Sequence, residues 1–204
     1  MRSNPFADGL DFVLGRTGNH ANLGDAIWIF VAFTIALIAA SVMVAIAVWR
    51  RDPSQRNVWT VSAWLCRALI GAMWLEGSLW KLPLPGGLGY WLGLMGKNAA
   101  FDIYGGVIND FLVPHLMIVA AIIYASETLL AVSLLLGLFV RPLALLGVAM
   151  ALNLWIGLYR YGPEWPWIYV FVAILHVQFL LFDAGRALGL DALRRPSARR
   201  ATNW

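Results

Sequence analysis

The sequence predicts an all-α protein: a polytopic membrane bundle of five transmembrane helices. Three observations carry this. Hydrophobic residues make up 61% of the chain and charged residues 13%, against about 45–50% and 25% in soluble domains. Five apolar runs, residues 25–49, 60–82, 115–138, 142–159 and 166–183, each come near the ~20 residues that cross a ~30 Å hydrocarbon core. None of them alternates in the ~10-residue pattern of a membrane β-barrel.

Residues 1–24 are polar and glycine-containing, without the basic-then-apolar order of a signal peptide, and read as an external N-terminal segment. Residues 25–49 are too long for a signal-peptide core and are followed by Arg50 and Arg51. They read as a retained helix that, with its following loop, forms a unit over residues 25–59. A four-helix core then spans residues 60–191, and a basic tail follows over 192–204.

The connectors set the orientation. Arg50, Arg51 and Arg56 lie in one, Arg141 in another, and Arg186, Arg194, Arg195, Arg199 and Arg200 after the last run. With five spans, all three fall on one side. Asp8, Asp11 and Asp25 weight the opposite side. The positive-inside rule then makes the N-terminus periplasmic and the C-terminus cytoplasmic, as in a bacterial inner membrane. The net charge of +4 is thus a topology signal, and nucleic acid is not an expected partner. The bilayer is.

Residues 83–114 form the long connector. It opens with Pro83, Pro85, Gly86 and Gly87, which do not continue a helix. Its aromatic content predicts a segment lying along the outer interface, with a short helix over about 98–111. A cap packed on the bundle and a binding lid are both open readings. Of eleven tryptophans, Trp59, Trp80, Trp91, Trp165 and Trp167 fall at expected water borders, where indole is favoured. Trp28, Trp64, Trp74 and Trp155 lie deeper, in the core or against a pocket.

At 100° per residue, Arg67, Gly71, Trp74, Ser78 and Lys81 share one helix face and Glu76 the opposite one. Counted from the cytoplasmic helix ends, Arg67 and His176 lie about 10–11 Å deep, and Glu127 and Asn153 about 16 Å. Gln178 is a little nearer the cytoplasm. These five form a candidate intramembrane polar layer. A charge at the bilayer centre costs roughly 2.5–3.5 kcal/mol on insertion scales, so an Arg67–Glu127 pair is expected. The layer reads either as a structural knot fixing helix register or as a quinone or proton site. Glu76, Lys81 and His115 form a second, outer-side candidate. His20, His115 and His176 lie too far apart in depth for a metal site, and none is expected. The single cysteine, Cys66, excludes an internal disulfide and a covalent haem attachment within this chain.

The spacing Arg67-x3-Gly71-x5-Gly77-x3-Lys81 resembles the first core helix of the DoxX/DoxD membrane protein family. Glu127, followed by Leu-Leu-Leu-Gly-Leu-Phe-Val-Arg-Pro at 134–142, is similar to that family's next helix pair. Asp183-Ala-Gly-Arg-Ala-Leu-Gly-Leu-Asp191 is similar to its closing signature. The resemblance covers about 60–191 and implies a four-helix core, here with an added N-terminal helix. It also implies the membrane subunit of a thiosulfate:quinone type of oxidoreductase, binding quinone, carrying no covalent cofactor and working with a redox partner. Arg67, Glu127 and His176 would line the quinone or proton site. The competing reading is a non-catalytic accessory subunit packed laterally in a respiratory or photosynthetic complex. A small-solute carrier is a third reading, disfavoured because no inverted repeat is evident.

Overall fold

The computed structural model describes residues 4–194. A short helix α1, Pro5–Val13, starts on Asn4, whose side chain accepts from the Phe6 and Ala7 amides. Single helical turns at Gly18–His20 and Gly24–Ala26 lead into α2, Ile27–Arg51. Arg50 and Arg51 occupy the last turn of α2, where the helix dipole favours cations. The next helix, α3 (Val58–Leu79), is capped by the Asn57 side chain on the Thr60 amide. Then come α4 (Leu88–Asn98), α5 (Asp102–Val107), α6 (Leu116–Leu136), α7 (Val140–Gly157), α8 (Trp167–Leu181) and α9 (Leu190–Arg194). No strand occurs among the described residues.

Four helices are long and apolar enough to cross a membrane: α2 with its preceding turn, α3, α6 and α7. The run expected as a fifth span folds as α8, which is apolar but only 15 residues long and is not among these four. At 1.5 Å per residue it measures about 22 Å, short of a ~30 Å core. It runs antiparallel to α7: Gly147 faces His176, and Arg141 near the start of α7 donates to the Leu180 carbonyl near the end of α8. The pair α3 and α6 is also antiparallel, with Gly71 against Leu134 and Leu135 and Lys81 reaching Glu127.

The bundle therefore has two distinct ends. Arg50, Arg51, Arg56, Arg141, Arg186 and Arg194 lie at one, and α1, α4 and α5 at the other. The main core joins Leu37, Trp74, Leu130, Leu134, Ala144, Ala151, Val172 and Phe179 from five helices. Gly71, Ala131, Ala144 and Gly147 sit at the crossings, where small residues let backbones approach in membrane bundles. Outward-facing Met43, Leu69, Ile118, Leu145 and Phe171 supply the apolar surface that lipid covers.

The long connector differs from the expected interfacial segment. A helix over about 98–111 gives way to α5 and a wider helical turn at Ile108–Leu112, and α4 precedes them. Leu88, Leu92 and Met95 of α4 bury against Ile108, Ala120 and Leu158. The Ala100 amide donates to the Ile156 carbonyl at 2.8 Å, and the Arg160 amide to the Asn98 carbonyl at 2.8 Å. The connector is thus a cap stitched to the ends of α6 and α7. Its helix α4 forms despite Gly89, Gly93 and Gly96, because burial of its leucines outweighs about 1 kcal/mol of helix propensity lost per glycine. The expected tail over 192–204 lies mostly outside the described residues.

Candidate functional site

The face Arg67, Gly71, Trp74, Ser78 and Lys81 is buried and Glu76 is exposed, as the helical spacing requires. These polar residues do not form one layer. They distribute over three separate sites along α3.

The first is at the arginine-rich end. Arg67 is fully buried, and its Nη1 donates to the Ala184 carbonyl at 2.7 Å. Among the described residues, Nε and Nη2 have no hydrogen-bond partner. A Cβ on Gly137 or Gly189 would run into this guanidinium, so both glycines make room for it. Gly137 also has φ +67°, the left-handed turn that ends α6. The Asp191 amide donates to the Gly137 carbonyl at 2.8 Å, and the Asp191 carboxylate accepts from the Phe139 and Val140 amides at 3.0 and 3.1 Å. One carboxylate thereby caps α7 and pins the chain after α8 onto the α6–α7 turn.

The second site is near the opposite end. Lys81, just past α3, closes to 2.7 Å from Glu127 Oε2 on α6, with side chains 3% and 7% exposed. Its ammonium also donates to the Gly77 carbonyl at 2.5 Å and sits 4.0 Å from the centroid of the Trp80 ring. Trp80 leads through Trp91 to Tyr161, an aromatic series beneath the α4 cap. The expected Arg67–Glu127 pair is therefore replaced by Lys81–Glu127. Gly77 lies ten residues, or about 15 Å, from Arg67 along α3. Side-chain direction explains the difference. Long helical side chains lean toward their helix N-terminus. On α3 this carries Arg67 toward the arginine-rich end and Lys81 inward from the other. On the antiparallel α6 it tips Glu127 toward Lys81.

The third site is at mid-bundle. Trp74 Nε1 donates to His176 Nε2 at 3.1 Å, and His176 Nδ1 lies 2.8 Å from the Val172 carbonyl. Indole N–H is only a donor and a carbonyl only an acceptor. The ring is therefore neutral, with its proton on Nδ1, and both nitrogens are engaged. Gly147 supplies the space: a Cβ there would overlap the imidazole. His176 thus couples α3, α7 and α8.

The remaining candidates separate. Asn153 accepts a hydrogen bond from the Tyr104 hydroxyl, tying α7 to α5. Gln178 faces outward from the bundle. Glu76 accepts from Asn19 at 3.3 Å beside the N-terminal segment, and exposed His115 pairs with the Phe111 carbonyl at 2.8 Å. The outer set Glu76, Lys81 and His115 is not brought together. Trp74, Gly147 and Tyr104 are the polar-site partners that sequence spacing did not mark as such.

Among the described residues, no group of three or more His, Cys, Asp or Glu side chains gathers as a metal site. Searches of family models, curated proteins and solved structures find nothing that matches this chain.

Proposed function

We propose that the chain is a DoxX/DoxD-like integral membrane subunit of a quinone-linked oxidoreductase system, with the Lys81–Glu127 pair as its proton-handling element. The observation that carries this is the pair itself: two charges 2.7 Å apart, almost fully buried. Replacing such a pair by packed apolar residues is often neutral or stabilising. Adhesion alone is therefore a weak reason to keep it, and buried ionisable groups in membranes commonly mark proton or ligand paths. Convergence of the motif residues supports the family reading: Arg67, Gly137 and Asp191 meet at one end, Lys81 and Glu127 near the other.

Quinone supplies two-electron chemistry that takes up two protons. The chain's part is to hold a proton between Glu127 and Lys81 and to exclude water beneath the α4 cap. Electrons come from a redox partner subunit. Five spans in a bacterial cytoplasmic membrane, with a periplasmic N-terminus and a cytoplasmic C-terminus, complete the proposal; the arginine distribution between the two ends supports it.

The second reading, a non-catalytic accessory subunit, is favoured by His176, whose two nitrogens are consumed by Trp74 and Val172. One experiment separates the two. The assembly is purified in mild detergent, its quinone is extracted and quantified, and reduction of a short-chain quinone is followed in wild type and Glu127→Gln. The proposal expects bound quinone and a loss of about 100-fold or more in a folded Glu127→Gln assembly. Wild-type turnover in that variant, or a wild-type assembly without quinone or turnover, supports the accessory reading instead.

A further inference from the structure

The arginine-rich end contains a cavity of about 240 Å³ between the start of α7, the turn after α8, and α9. Its lining includes Arg141, Arg186 and Arg194 against Asp183 and Asp191, with Phe139 and Pro142. Asp191 is already committed, since its two oxygens take the Phe139 and Val140 amides. Three guanidinium groups against two carboxylates leave the lining with a net charge of +1 (3 − 2), and the Asp191 oxygens face the two amides. Arg141 is held by its Nε on the Leu180 carbonyl at 3.1 Å, which leaves the outer edge of its fork available. Arg194 is steadied over the Phe139 ring at 4.0 Å.

We propose that this cavity binds the phosphate headgroup of an anionic phospholipid. Guanidinium groups in fixed positions match the paired oxygens of a phosphate diester and give charge-assisted hydrogen bonds. Basic pockets between transmembrane helices on the cytoplasmic side suit such headgroups. The surroundings select a lipid over a soluble anion. Phe139, Leu145, Leu181 and Phe182, on the adjoining turns, are 50–74% exposed and apolar, and acyl chains can lie along them while the phosphate enters the cavity. The site does not depend on the quinone-linked reading, because it lies at the arginine-rich end and uses neither Lys81 nor Glu127, the pair on which the proton-handling role rests.

The test uses full-length protein, delipidated in mild detergent. It is titrated with phosphatidylglycerol, with phosphatidylcholine of the same acyl chains, and with inorganic phosphate, and bound lipid is counted by native mass spectrometry. Saturable phosphatidylglycerol binding is expected, weakened about tenfold in Arg141→Gln and again in Arg186→Gln, in keeping with loss of one charge-assisted contact each. The double variant Arg50→Gln/Arg51→Gln, at the same end but outside the cavity, should bind as wild type does. Equal binding of phosphatidylcholine overturns the proposal. So does equal competition by inorganic phosphate, undiminished binding in the Arg141→Gln protein, or an equal loss in the Arg50→Gln/Arg51→Gln control. Arg141 is exposed, so Arg141→Gln keeps the test available if Arg186→Gln fails to fold.

Discussion

Replacing Lys81 by Met strands Glu127, a carboxylate only 5% exposed, without the ammonium 2.7 Å away. Breaking one side of a buried pair typically costs about 3–5 kcal/mol. Lys81→Met also gives up the ammonium's position over Trp80, worth about 0.5–2 kcal/mol. Glu127→Leu strands Lys81 in turn, though the Gly77 carbonyl still accepts from it. The double variant leaves no charge behind and packs apolar groups in the same space, so it should be more stable than either single variant. We expect a coupling energy of about 3 kcal/mol, measured by equilibrium unfolding in mixed micelles. The same assay applied to Arg67→Met with Glu127→Leu should give additivity within about 0.5 kcal/mol, because those residues share no partner. Additive effects for Lys81 and Glu127, or strong coupling between Arg67 and Glu127, would refute the assignment of partners.

Three more outcomes are expected. Gly147→Val should destabilise the bundle by about 1–3 kcal/mol through overlap with the His176 ring, and His176→Ala in the same chain should recover part of the loss in thermal unfolding. Burial beside Phe12 and Phe30 pushes the His20 imidazole below its ordinary range, against weaker upward pulls from Thr17 and Glu76. Its contribution to docking of the N-terminal segment is therefore full above about pH 6.5 and is lost as pH falls through the lowered value; amide exchange over Pro5–His20 should quicken on acidification in wild type and change less in His20→Phe. Tags placed before Met1 and after Trp204 should be accessible from opposite sides of the membrane, and labelling of both from one side contradicts five spans.

The helices α2, α3, α6 and α7 were legible because each is long and apolar. The buried face of α3 followed from 100° spacing alone, down to the outward-facing Glu76. Depth was not legible in the same way. A depth counted at Cα misplaces the charges, because the guanidinium of Arg67 and the ammonium of Lys81 both lean toward the α3 N-terminus, the latter as far as the Gly77 carbonyl. Applying that lean to α3 and the antiparallel α6 separates Arg67 from Glu127. The His176–Trp74 bond had a fainter signal: Gly147, a glycine inside an apolar helix, marks a place where something bulky must enter. Helix α4 was hidden by composition, since Pro83, Pro85 and the glycines that follow read locally as turn, and only burial against α6 and α7 makes the segment helical.

The 117 residues between Arg67 and its carbonyl partner on Ala184 impose an order on biosynthesis. When α3 enters the bilayer, Arg67 has nothing to bind. At about 5–20 residues per second the Ala184 carbonyl follows roughly 6–23 s later. Lys81 waits for only 46 residues before Glu127 arrives. During the longer interval an uncompensated guanidinium lies within reach of headgroups at the arginine-rich end and is held there by its lean along α3. Until the turn at Ala184–Arg186 closes over it, the growing chain therefore carries an unpartnered guanidinium that the finished bundle conceals.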